Sequence, residues 1–173
     1  EAAVDTETSD LDPMRAVLVG ISLAIAPNKA CYVPLAHEGL DQPGQLHRDD
    51  VLSRLRPWLC SPKHKKLGQH IKYDMHVFEN HGIRLEGIAE DSLLASYVLE
   101  AHRSHDMDSL AERHLNHRTI TYDDLTGKGA SRIAFAQVAV ERAAAYAAED
   151  ADVTYRLCAH FRPRLAAEPA LDT

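Results

Sequence analysis

Cysteine is scarce in this chain. Cys31, Cys60 and Cys158 are odd in number, widely spaced and form no CxxC pair. That argues against a disulfide framework and against a cysteine zinc site, and predicts a reducing, cytoplasmic setting. Long apolar runs are missing too. Nothing approaches the roughly 20 residues of a membrane span, and the opening EAAVDTETSD does not read as a signal peptide. No membrane partner is expected. Basic charge is in deficit, with 19 Lys and Arg against 26 Asp and Glu, for a formal net charge of −7. That is the wrong sign for a domain gripping long duplex by bulk electrostatics. It leaves nucleic acid open, because divalent cations would cancel clustered acids locally. HExxH and GxxxxGKS/T are both absent, so Gly127-Lys128-Gly129 reads as a flexible loop. His114 and His117, three apart, read as solvated side chains on one helix face, with a zinc site as the remote alternative.

What is present suits one α/β domain. The 173 residues are 45% hydrophobic and 26% charged, ordinary values for a chain long enough to bury a substantial core. The apolar run Ala16 to Ala26, rich in β-branched residues, predicts a central strand. After a Pro27-Asn28 turn, Lys29 to Leu35 returns as its hairpin partner. A loop is expected over 37–45. The spacing of Val51, Leu52, Leu55 and Leu59 predicts a helix over 48–59. A short strand is expected over 65–69 and a helix over 71–81, stopped by Gly82. Asp91 and Asp108 are the expected N-caps of two further helices, and 119–131 reads as an exposed loop. The alanine-rich stretch from Phe135 is helical by propensity, with an expected break near Arg142 and an end at Pro163. Early strands followed mostly by helices predict a small mixed sheet.

Three acidic motifs carry the chemistry. In VDTET, Asp5 and Glu7 are one residue apart and so share a face at the end of the first strand. Such a pair is either solvated or half of a metal site, because two close carboxylates repel unless a cation or proton intervenes. GQHIKYD contributes Asp74. In YAAEDAD, Tyr146 and Asp150 lie four apart, on one helix face. They form either a joint site or an ordinary acid beside a buried tyrosine. Glu149 and Asp152 point elsewhere and are expected in solvent. The first strand reaches its acids so early that it reads as having lost its beginning.

The order of the blocks DTET-SDLD, VGISLAI, YVPLAH, GQHIKYD, DSLLASYVLE, HDMDSLAERHL, TITYDDLTGKG and YAAEDADVT resembles the 3′→5′ exonuclease domain of bacterial DNA polymerase I. The resemblance runs through nearly the whole chain. It implies a ribonuclease H-like α/β fold, with a small mixed sheet flanked by helices. It also implies that residues 1–173 are one exonuclease domain, a fragment of a larger polymerase. Asp5 and Glu7 match the family's first acidic pair, Asp74 the aspartate of its second motif, and Tyr146 and Asp150 its last pair. The implied cofactors are two divalent ions, Mg2+ or Mn2+, with Zn2+ possible at one site. Asp5, Glu7 and Asp150 would hold one. Asp5 would bridge to the other, supported by Asp74, while Tyr146 and Glu7 orient the attacking water.

The implied partner is a single-stranded or frayed 3′ end of DNA, released as nucleoside 5′-monophosphates. The polymerase would lie in the same parent chain, a monomer working at the bacterial nucleoid. Leu11 matches an apolar wedge, or is simply core. Tyr122 matches a base-stacking aromatic, and Gln69 and Tyr73 match residues along the strand's path. His70 departs from the family's asparagine. Ser104 stands where an arginine can sit, with Arg103 as its substitute. Lys72 is a DNA contact or plain surface. Two other readings remain open: an RNA 3′→5′ exonuclease of the same superfamily, and a non-catalytic DNA-binding or spacer domain.

Overall fold

The computed structural model describes residues 1–39 and 42–168. Five strands form one mixed sheet in the order β3-β2-β1-β4-β5. β1 (Ala2–Thr8) pairs antiparallel with β2 (Leu18–Ala26), and β2 pairs antiparallel with β3 (Lys29–Pro34). On its other edge β1 runs parallel to β4 (Lys66–Gly68), and β4 runs parallel to β5 (Ile88–Asp91). The expected strand, hairpin and mixed sheet are all present. Their ends differ from the sequence reading by a residue or two, as hydrogen-bond limits usually do. The loop expected over 37–45 carries no regular element in its described part, and Leu40 and Asp41 fall outside the described residues.

Strand alternation sorts β1 into two faces. Val4 points to the side of α1 (Arg48–Leu59) and α2 (Ile71–Glu79), where it joins a core with Leu52, Ile71, Val77 and Phe78. Ala3 points the other way, against Ala151 and Cys158 of α6 (Val140–Ala166). Asp5 and Glu7 share the parity of Ala3 and so face α6. That helix lies close to the sheet because Ala143, Ala147 and Ala151, one turn apart, are fully buried and present only methyl groups to the strands. The same stripe sets the neighbouring positions, Tyr146 and Asp150, over the end of β1. α3 (Ser92–Glu100) and α4 (Met107–Leu115) complete the α6 layer around Leu110, Val153, Leu157 and Phe161.

Pairing between β1 and β4 is short, Ala2 with Lys66 and Ala3 with Leu67. Beyond it the chain turns through His70, in the left-handed region at φ 59°, into α2. The amides that open α2 are taken by the Asp91 carboxylate, which accepts from His70 and Ile71 at 3.1 and 2.9 Å while also capping α3 at Leu93. One aspartate therefore fixes the start of two helices. β1 outruns β4, and its free edge is where the site forms.

Several expectations fail locally. α4 is capped by Asp106, not Asp108; Asp108 instead accepts from the Thr119 hydroxyl at 2.6 Å. The stretch read as loop contains α5 (Tyr122–Thr126), closed by a Thr121–Asp124 capping box. The alanine-rich stretch is one helix of 27 residues, preceded by a single 3-10 turn over Phe135–Gln137. Pro163 lies inside it rather than ending it. The flanking turns are held by Arg162 to Glu1 and Glu90 and by Arg164 to Glu100, which offsets the backbone bond a proline removes. Glu149 and Asp152 are not solvated. Glu149 accepts from the Ile120 amide at 2.6 Å and meets His117 at 2.9 Å, and Asp152 accepts from the Asn28 amide. Among the described residues no helix is long and apolar enough to cross a membrane.

Candidate active site

A cavity of about 830 Å³ opens at the end of β1, lined by Asp5, Glu7, Tyr146 and Asp150. Asp74 stands just behind it, 2% exposed. Both faces of the sheet contribute. Asp5 and Glu7 look toward α6, which brings Tyr146 and Asp150, and α2 brings Asp74 to the free edge. There the Thr6 amide, which would have continued pairing with β4, donates to Asp74 Oδ1 at 2.9 Å. The Thr6 hydroxyl donates to the same oxygen at 2.6 Å, leaving Oδ2 without a hydrogen bond from Thr6.

The electrostatics follow from crowding acids in a partly dry space. Burial pushes Asp5 up to about 6, against smaller opposing hydrogen bonds from Ser22 and Thr6. Glu7 lies well above the usual carboxylate range through burial first, then the charges of Asp5, Asp150 and Asp74. Asp74 and Asp150 are raised likewise, by burial and then by Asp5. Tyr146 is held firmly protonated by burial and by Asp150. Tyr32 packs over Gly20, the partner of Glu7 across the strands, where any Cβ would collide with its ring. Its hydroxyl meets His37 Nε2 at 2.7 Å.

Do these residues suit divalent ions? Among the described residues Glu7 Oε1 is buried with no hydrogen-bond partner, a costly state for a charged carboxylate oxygen unless a cation or a proton neutralises it. The donors are all hard oxygens, the set that magnesium and manganese prefer over thiolate-seeking metals. Among the described residues no three acids, imidazoles or thiols already converge into a closed cage, in keeping with four carboxylates that repel one another. The donor chemistry fits.

The remaining sequence candidates divide. Leu11, 95% exposed, and Tyr122, 39% exposed, both line the cavity, so Leu11 is not core. His70 and Tyr73 line it as well. The Tyr73 hydroxyl bonds with Thr8 and donates to the Asp10 carbonyl, tying down the loop that carries Leu11. Gln69 does not line the cavity; its amide is engaged with the His105 carbonyl and with Ser92. Neither Arg103, exposed and beside His102, nor Lys72 lines it. Sequence reading missed Arg132, Ile133 and Ala134, which do. Their only signal was a basic and an apolar residue at the end of a glycine-bearing loop.

A family model described as 3′-5′ exonuclease matches residues 1–166. DNA polymerase I of Pseudomonas aeruginosa is 49% identical over 172 residues, covering 98% of this chain and 19% of its own length. DNA polymerase I of Chloroflexus aurantiacus is 38% identical, covering 98% of this chain and 18% of its own. The chain thus spans about one fifth of these relatives. Among solved structures, the POL domain of Pol1 from M. smegmatis, in complex with DNA primer-template and dNTP, superposes with a TM-score of 0.74 at 20% identity. It covers 99% of this chain and 25% of that one. Brucella melitensis NrnC bound to pGG superposes at 0.69 and 18% identity, over 99% and 76%. At these identities the likeness is one of fold.

Proposed function

This chain belongs to the 3′-5′ exonuclease family of DNA polymerase I, and from that membership we propose that it hydrolyses phosphodiester bonds from the 3′ end of single-stranded or frayed DNA. The product is a nucleoside 5′-monophosphate. In a longer polymerase chain, working at the bacterial nucleoid, this is the editing step. A mismatched end frays more easily, and the unpairing energy supplies selectivity. The observation that carries the reading is the meeting of Asp5, Glu7, Tyr146 and Asp150 around one cavity, with Asp74 of a third element tied to the same strand behind it.

Asp5, Glu7 and Asp150 would hold one divalent ion, and Asp5 and Asp74 a second. When bound, such ions offset the charge that builds on the phosphoryl and leaving oxygens and lower the pKa of the attacking water. The chain's own residues do the rest. Glu7, through its unpartnered Oε1, accepts a hydrogen bond from the water, and Tyr146, kept protonated, fixes its orientation from α6. Thr6 holds Asp74 through two hydrogen bonds to Oδ1 and so fixes the carboxylate against β1. Leu11 and Tyr122 take the terminal bases, each stacked base contributing about 1–3 kcal/mol.

The deciding experiment digests a 5′-labelled single-stranded DNA and an RNA of the same sequence, with magnesium, with manganese and with chelator. A metal-dependent ladder shortening from the 3′ end, faster on DNA, is expected. The RNA reading draws on the fold shared with NrnC, whose structure holds pGG; faster digestion of RNA would favour it. Folded protein that cuts neither would leave the spacer reading.

Thr6→Val tests the support of Asp74. The change keeps the shape and the backbone bond but loses the hydroxyl donor. Removal of a group that orients a metal-binding residue typically costs about 10–100-fold in activity or metal affinity, and a loss in that range is expected. Unchanged hydrolysis across a magnesium titration would remove Thr6 from the mechanism.

A further inference from the structure

We propose that Arg132 holds a backbone phosphate of the bound strand, next to the scissile one, from a platform it shares with Tyr122. The inference rests on the nuclease reading above and adds to it a substrate-positioning residue.

The cavity is lined by acids, and the chain as a whole carries a net charge of −7. A polyanionic strand approaching it needs a fixed cation beyond the reach of the metal-binding acids. Among the described lining residues, Arg132 is the one guanidinium; the other basic side chain is the His70 imidazole. Arg132 is half exposed and set in advance. Its guanidinium lies 5.8 Å from the centre of the Tyr122 ring, one NH2 group is paired with Asp123, and Nε donates to the Gly127 carbonyl at 3.3 Å. The next residue, Ile133, is anchored through its amide to the Thr126 carbonyl of α5 at 2.9 Å. Little rotamer freedom is left to lose on binding.

The guanidinium carries five N–H donors, and the two contacts above leave a face free for a phosphate, which arginine takes in a two-point fork. Asp123 does not cancel this cation outright, because Lys128 also approaches it at 3.6 Å. When a phosphate arrives, Lys128 can keep the carboxylate company. Tyr122 lies 6.3 Å from Tyr146, centre to centre, and Tyr146 interacts with Asp150, so neighbouring contacts link Arg132 through Tyr122 and Tyr146 to Asp150. A strand with its 3′ base on Tyr122 would bring a neighbouring phosphate to Arg132.

The test uses a short 5′-fluorescent oligothymidylate. Binding is followed by anisotropy across a potassium chloride series in chelator, and hydrolysis in manganese. One phosphate contact on a single strand contributes about 0.7 to the slope of log affinity against log salt. Arg132→Gln is expected to flatten the slope by that amount, raise KM about tenfold, as loss of a charged hydrogen bond does, and leave kcat within about twofold. Asp123→Asn breaks the same ion pair from the other side. It is expected to tighten binding about two- to fivefold, the scale of an exposed pair.

Opposite signs for the two variants would support the phosphate role. If the pair merely closes the loop, both variants lower the melting temperature together and neither moves the slope, and the inference fails. A wild type that digests the oligomer while Arg132→Gln keeps slope and KM overturns this inference alone. A wild type that neither binds nor digests it overturns the nuclease reading as well. Should Arg132→Gln not fold, Asp123→Asn still decides by its sign.

Discussion

Asp150→Ala is expected to abolish exonuclease activity, by at least about a thousandfold, the scale on which loss of charge stabilisation at a reacting phosphate is felt. Asp150 is buried on α6 with Asp5 as the charge that acts on it most, and under the proposed reading alanine leaves an ion one ligand short. The same substitution is expected to leave the metal-free protein as stable as before, or more so, at neutral pH. It removes one of four mutually repelling carboxylates at the cost of a small gap beside the cavity. A stable variant without activity is the signature of a strained functional group rather than a structural one. Tyr146→Phe, which keeps the ring and loses only the hydroxyl, should fall by about 10–100-fold. Measured side by side in manganese, equal losses for the two variants would break this division of roles, and an active Asp150→Ala would remove Asp150 from the chemistry.

Divalent metal should raise the melting temperature of chelated protein, and by more at about pH 8 than at about pH 5. The sign follows from the raised acids. Asp5 sits at about 6 when folded, against 3.8 ordinarily, and Glu7, Asp74 and Asp150 are well above their usual range. Between the ordinary and the raised values the folded chain binds more protons than the unfolded one. Without metal, stability is therefore full below about pH 4 and declines as pH climbs through 6 and beyond. At low pH protons already neutralise the acids, and metal must compete with them. At high pH the repulsion is unrelieved, and metal relieves it. Binding at about 100 times Kd contributes about 2.7 kcal/mol, which for a domain of this size is about 5–10 °C. Equal gains at both pH values, or a gain that potassium chloride at matched ionic strength reproduces, would show that the acids do not share an ion.

Much of this was legible in the sequence, for identifiable reasons. Asp5 and Glu7 were readable as one face because strand alternation has a fixed period, and Tyr146 with Asp150 because a helix returns to the same side every fourth residue. The order of the blocks then joined segments that no local rule could join. What failed depended on competition between near-equivalent local choices. Asp106 and Asp108 are both plausible caps two residues apart, and the hydroxyl of Thr119, eleven residues on, engages the second. Glu149 and Asp152 read as surface because their partners, the Ile120 and Asn28 amides, come from distant segments. The reading of 119–131 as loop hid the Thr121–Asp124 box, and with it the frame that presents Tyr122 and Arg132.

The meeting of segments far apart in sequence has a consequence for the order of assembly. β1 carries the first acids, and its Thr6 waits for Asp74, 68 residues downstream. The strand's start is pinned by Arg162 to Glu1, 161 residues away. Contacts so distant along the chain form late, after more local structure has closed. β1 would therefore hold Asp5 and Glu7 in place before α6 brings Tyr146 and Asp150 against it. Asp5, Glu7, Tyr146 and Asp150 come together only once α6 has docked on a sheet already in order.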